Sequence, residues 1–148
     1  MHLTTSQRGL ALIKSFESFS PTLYLCPAGK PTIGYGHVVR GAGIDEPITE
    51  SQAVALLADD CRTVEIYLNA INLPAPLTQH EFDALVSFCF NVGLGAFDKS
   101  TMLKKLKAGA ITGAANEFLR WDNVNGKPLA GLTRRRKAER DLFLEKPA

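Results

Sequence analysis

The chain has 148 residues, enough for one domain with a sizeable core. Apolar residues make up 45% and charged residues 22%, which excludes a disordered chain, and a net charge of +2 gives no argument for nucleic acid. No apolar run reaches membrane-spanning length, and the opening "MHLTTSQRG" lacks the basic start and apolar stretch of a signal peptide, so synthesis in the cytoplasm without membrane insertion is expected.

In chain order, "TTSQRGLALIKSFE" (4–17) has the spacing of a helix. Thr4 and Gln7 stand at capping-box separation, and Leu10, Ile13 and Phe16 fall on one face. A region rich in Pro, Gly and aromatic residues follows. "TLYL" and "TIGYGH" read as short strands, and "CPAGKP" as the turn between them. After residue 48 everything reads as helical. "ITESQAVALLADDCRTVEIYLNAI" opens with Thr49 and Gln52, and Ala53, Leu56, Leu57, Val64, Leu68 and Ile71 keep the helical period. "LPAP" breaks the chain. "LTQHEFDALVSFCFNVG" restarts it with Thr78 and Glu81, places Phe82, Leu85, Val86 and Cys89 on one side, and stops near Gly93. Shorter helices are predicted over 100–108, 112–120 and 133–145.

The expected fold class is α+β, mainly helical, in one domain over 1–148. A β-containing lobe covers about 18–48, a linking helix about 49–71, and a helical lobe about 72–148 together with the N-terminal helix. A cleft between two such lobes is a usual place for a ligand.

Three cysteines, Cys26, Cys61 and Cys89, form no C-x-x-C pair and have no zinc-site spacing, so no metal is expected. Cys61 and Cys89 fall within apolar helical patterns and read as buried, inert thiols. Cys26 lies beside the turn.

Glu17 stands at the tail of the first helix, where the partial negative charge disfavours a carboxylate. Phe16 and Phe19 flank it and can exclude water. Both effects suit a general acid that must hold its proton near neutral pH, although an ordinary solvated glutamate fits the local sequence as well.

The wider pattern is more specific. Glu17, eight residues, Cys26, five residues and Thr32 are followed at once by "TIGYGH". With "SFCFNVGLGAFDKSTMLKKLKAG", "AANEFLRW" and "GLTRRRKAERDLF", this resembles the phage-type lysozymes, the endolysins of glycoside hydrolase family 24, over nearly the whole chain.

The resemblance implies hydrolysis of the β-1,4 bond between N-acetylmuramic acid and N-acetylglucosamine in peptidoglycan, by a monomer without metal or cofactor. Release of the enzyme to the wall would go through a holin. Glu17 would protonate the leaving oxygen, and Thr32 would hold the attacking water. Cys26 would take the place often held by Asp, as a partly ionised thiol that assists attack. A neutral thiol there would only pack. His37 and Asp60 are expected to form a structural pair. Of the run Arg134–Lys137, Arg135 is expected to reach Glu17 and to bind substrate, while most of its neighbours stay solvated. Those neighbours, with Lys104, Lys105 and Lys107, would attract an anionic wall. Asn91 and Tyr35 are expected to line the cleft and bind substrate, and Trp121 to pack in the core. Two rival readings remain at this point: a lytic transglycosylase making 1,6-anhydro ends, and a non-catalytic glycan-binding relic.

Overall fold

A computed structural model describes residues 2–41 and 43–146. The first helix, α1 (Gln7–Glu17), does not use Thr4 as its cap. Ser6 is the N-cap, and its hydroxyl accepts from Gly9 N. Tertiary contacts override the local spacing. The carboxylate of Asp83, from a helix far along the chain, accepts from the Ser6 N–H at 3.0 Å and from the Ser6 hydroxyl. Glu65 binds Thr5 in the same way.

Strands β1 (Ser20–Leu25), β2 (Pro31–Gly34) and β3 (His37–Val38) form an antiparallel sheet in that order. "TIGYGH" is therefore not one strand. Gly34 at φ 67° and Gly36 at φ 80° bend the chain around Tyr35, so that β3 folds back on β2 with Ile33 opposite His37.

The long helix α2 (Glu50–Ala70) starts with the Thr49–Gln52 capping box and buries Ala53, Leu57, Cys61, Val64 and Leu68. Helix α3 (Gln79–Val92) starts with the Thr78–Glu81 box. Every residue from Phe82 to Cys89 is buried, so α3 is the axis of the core rather than a one-sided helix. After it come α4 (Leu94–Asp98), α5 (Thr101–Lys107), α6 (Ile111–Glu117), a 3-10 turn over Phe118–Arg120, and α7 (Ala130–Leu144). Helices α1, α2 and α7 all pack on α3.

In the second half of the described residues, a helix and a hairpin depart from the expected chain order. Helix α4 was not anticipated. A hairpin of β4 (Asn123–Val124) and β5 (Lys127–Pro128) interrupts the helical second half. Asn125 and Gly126 take φ of 52° and 81°, the left-handed pair that a two-residue hairpin turn demands.

The core closes around Phe88. Its ring meets Phe118 at 5.2 Å, Trp121 at 5.4 Å and Phe97 at 6.3 Å, all edge-on. The Arg136 guanidinium lies 5.0 Å from the same ring.

Gly9 marks where α1 meets α3. A Cβ there would stand 2.8 Å from Asp83 Cγ and 2.8 Å from Thr5 Cγ2. Gly to Ala inside a helix usually gains about 1 kcal/mol. Here overpacking outweighs that gain, and Gly9→Ala is expected to lose about 1–3 kcal/mol in urea unfolding.

Candidate active site

Glu17 is the last residue of α1. Ser18 follows at φ 54°, a left-handed conformation uncommon for a residue with a Cβ, and ends the helix there. The Glu17 side chain lines a cavity of about 720 Å³ together with Gly36, His37, Arg40, Asp60 and Asn91, among others.

The carboxylate is held from below. Arg135 Nη1 donates to Glu17 Oε2 at 2.6 Å across 118 positions of sequence. Arg135 is 3% exposed and is itself fixed. Its Nε donates to Glu139 Oε2 at 3.2 Å, and its Nη2 to the carbonyl of Ser87 at 3.2 Å. It thus supports Glu17 from inside the protein and does not line the cavity, where a substrate contact was expected. Above, Gly36 gives the carboxylate room: a Cβ there would lie 2.8 Å from Glu17 Oε1.

The arginine run is less solvated than its composition suggests. Arg136 is fully buried, and its Nη2 donates to Asn91 Oδ1. The reason is Glu139, also fully buried, which lies one turn on along α7. Its Oε1 is 3.2 Å from Arg136 Nη1, and its Oε2 accepts from Ser87 Oγ at 2.6 Å. Burial pushes the Glu139 carboxyl up and the Arg136 guanidinium down, and their mutual attraction opposes both shifts. Arg134 and Lys137 are exposed.

His37 Nδ1 lies 2.9 Å from Asp60 Oδ2, tying β3 to α2 at the cavity wall. Burial pushes the Asp60 carboxyl up, and His37 pulls it back. Tyr35 does not line the cavity. It is 8% exposed, stacks near Phe19 at 5.7 Å, and its hydroxyl donates to Glu50 at 3.1 Å. The two flanking glycines turn it inward.

Cys26 and Thr32 stand on the neighbouring ribbon, outside the residues that line the Glu17 cavity. The tight turn from Cys26 to Lys30 is closed by Cys26 N–H to Lys30 O at 3.0 Å and Gly29 N–H to Cys26 O at 2.7 Å. The backbone amides of Lys30 and then Ala28, with the Thr32 hydroxyl and the Lys30 ammonium, lower the thiol's pKa, against partial burial. Thr32 is 2% exposed, and its hydroxyl donates to Lys30 O at 2.9 Å. That one proton serves either the carbonyl or the sulfur.

Tyr24, paired with Thr32 across the ribbon, was not singled out from the sequence. Partial burial, then the nearby charges of Glu17 and Cys26, push its phenol up. The other two thiols are buried, and Cys89 lies at the wall of the Glu17 cavity. Cys61 is pushed up to about 12 by burial, and burial pushes Cys89 up as well.

A family model described as phage lysozyme matches residues 14–139. The chain belongs to the phage lysozyme family. It is 46% identical to an endolysin of Acyrthosiphon pisum secondary endosymbiont phage 1, over 97% of this chain and 98% of that one. To an endolysin of Bacillus phage B103 it is 45% identical over 96% of its own length, and it spans only 54% of that protein. Among solved structures, the muramidase domain of SpmX from Asticaccaulis excentricus superposes with a TM-score of 0.85 at 41% identity, covering 99% of this chain and 100% of that one.

Gly36→Ala isolates the seat of the acid. The clash falls on the movable end of Glu17, so the fold should survive with the strain of a left-handed alanine, about 1–2 kcal/mol. Displacing the carboxylate by about 1 Å should cost about a hundredfold in kcat, measured as clearing of a cell-wall suspension.

Proposed function

We propose that the protein is a muramidase of the endolysin type, hydrolysing the β-1,4 bond between N-acetylmuramic acid and N-acetylglucosamine in bacterial peptidoglycan. The observation that carries this reading is Glu17, set at the end of α1 in a cavity and gripped by the buried Arg135, in a chain of the phage lysozyme family. The β-containing segment over about 18–48 and the helical segment over about 72–148 with the N-terminal helix, joined by the linking helix over about 49–71, act as two lobes of one catalytic domain, and the glycan lies between them.

In this mechanism Glu17 gives its proton to the bridging oxygen as the C1–O bond breaks. The Arg135 guanidinium then faces a full carboxylate at 2.6 Å. A water attacks C1 from the opposite face, which inverts the anomeric centre. The Cys26 thiolate, stabilised by its turn, takes the proton that the water loses, and the Thr32 hydroxyl orients that water. Cys26 then gives its proton to solvent, and solvent returns one to Glu17. Asn91 binds sugar from the cavity wall. His37 and Asp60 hold the sheet against α2 and take no part in the chemistry.

The enzyme is made in the host cytoplasm in this reading and reaches the wall once a holin opens the membrane. Its kinship with phage endolysins supports action on the cell wall. No helix among the described residues is long and apolar enough to cross a membrane.

Digestion of purified peptidoglycan tests the activity. Fragments should each carry the mass of one added water and a reducing muramic acid end. Glu17→Gln should slow their release by at least about a hundredfold. Anhydro ends, or no fragments, would overturn the reading.

Cys26 is tested by pH. Its alkylation by iodoacetamide should have a midpoint below the value of about 8.5 of a free thiol. Wall digestion should rise as pH climbs through that midpoint, because the thiolate is populated above it, and Cys26→Ala should abolish this limb. Cys26→Asp should restore activity at lower pH. Equal rates in wild type, Cys26→Asp, Cys26→Ser and Cys26→Ala would leave the thiol without a chemical role.

A further inference from the structure

Asn91 sits on the cavity wall near the end of α3. A free asparagine amide can present either its carbonyl or its NH2 to a ligand, because the two ends have almost the same shape. Here one neighbour removes the choice. Arg136 has five donors and no acceptor, so only the Asn91 oxygen can face it. Arg136 cannot swing away, since it is fully buried between the Phe88 ring at 5.0 Å and Glu139 Oε1 at 3.2 Å.

Its burial is also poorly compensated. Nε and Nη1 of Arg136 have no hydrogen-bond partner among the described residues. Nη1 meets Glu139 Oε1 only as an ion pair at 3.2 Å, and Nε is left idle; a buried ion pair of this kind is a weak stabilising device, and an apolar side chain of similar volume often does better. Its one well-directed hydrogen bond goes to a side chain in the cleft.

We propose that Arg136 is a positioning residue that locks Asn91 with its NH2 turned into the cleft, so that this wall selects a hydrogen-bond acceptor on the sugar. On the muramidase reading, on which this part rests, the acceptor is the carbonyl of an N-acetyl group. A de-N-acetylated glucosamine offers an ammonium instead, which only donates and is repelled by the cation behind Asn91. The site therefore discriminates against de-N-acetylated glycan.

The test uses the intact protein and two substrates, N-acetylated peptidoglycan and the same material de-N-acetylated. Wild type should show a KM at least about tenfold lower for the first. Asn91→Asp keeps the Arg136 contact through one oxygen and has no donor for the cleft, so it should lose most of this ratio with an unchanged unfolding midpoint. Arg136→Lys keeps the charge but loses the reach, and it should lose the ratio too. In a Glu17→Gln background, where the sugar survives, the Asn91 side-chain amide resonance should shift with a soluble N-acetylated tetrasaccharide of the glycan and not with its de-N-acetylated counterpart.

An unchanged ratio in Asn91→Asp, an amide resonance indifferent to both sugars, or a folded Arg136→Lys with the wild-type ratio overturns the proposal. If Arg136→Lys does not fold, Asn91→Asp and the resonance decide. A wild type that cleaves both walls equally contradicts this proposal and leaves the muramidase reading standing. A protein that shows the selective shift but releases no fragments contradicts the muramidase reading alone.

Discussion

Two guanidinium groups lie side by side in the interior of this protein, and one carboxylate makes that possible. Glu139 receives Arg135 on one oxygen and Arg136 near the other, each at 3.2 Å, and Ser87 donates to it as well. Removing one member of such a buried set typically costs about 3–5 kcal/mol, because the others are left without compensation. The far ends of the two arginines go to different places. Arg135 grips Glu17, and Arg136 holds Asn91. One turn of α7 thus fixes both the candidate proton donor and the candidate sugar-binding amide.

The other half of the proposed chemistry is built differently. Cys26 has no buried ion pair behind it. Its turn supplies backbone N–H groups from Lys30 and Ala28, with Lys30 adding a charge near the surface. Such a cradle stabilises an anion by fixed dipoles, which screen less with salt than exposed ion pairs do. A thiol at this point needs that help where a carboxylate would not, since its ordinary pKa leaves it mostly neutral at pH 7. The sheet that carries it is pinned to α2 through His37 and Asp60, and the cavity with Glu17 opens alongside.

What the sequence reveals follows from the range of each interaction. The starts of α2 and α3 are legible because Thr49 with Gln52 and Thr78 with Glu81 settle their caps within four residues. Thr4 and Gln7 have the same spacing and fail, because Asp83 and Glu65 draw the chain to a cap at Ser6 from far along the sequence. The second hairpin did carry a local signal, Asn125-Gly126, hidden within a stretch otherwise read as helical. Glu17, Cys26 and Thr32 stand out because their spacing matches the family pattern, whereas the cluster beneath Glu17 does not. Arg135 is legible at Glu17 only through the family resemblance, Arg136 reads as part of a charged run, Glu139 gives no signal, and the packing of α7 on α3 turns all three inward. Tyr35 fails for the converse reason. An aromatic residue between two glycines looks available to a ligand, and the two bends that the glycines permit carry it into the core.

Glu139 touches no substrate, so its effect on catalysis tests this account most directly. The measurement is kcat and KM for peptidoglycan in Glu139→Gln, at a low temperature where circular dichroism shows the fold intact. The account predicts a lower kcat through Glu17 and a higher KM through Asn91, both in one variant. A folded Glu139→Gln enzyme with wild-type kcat and KM would contradict it.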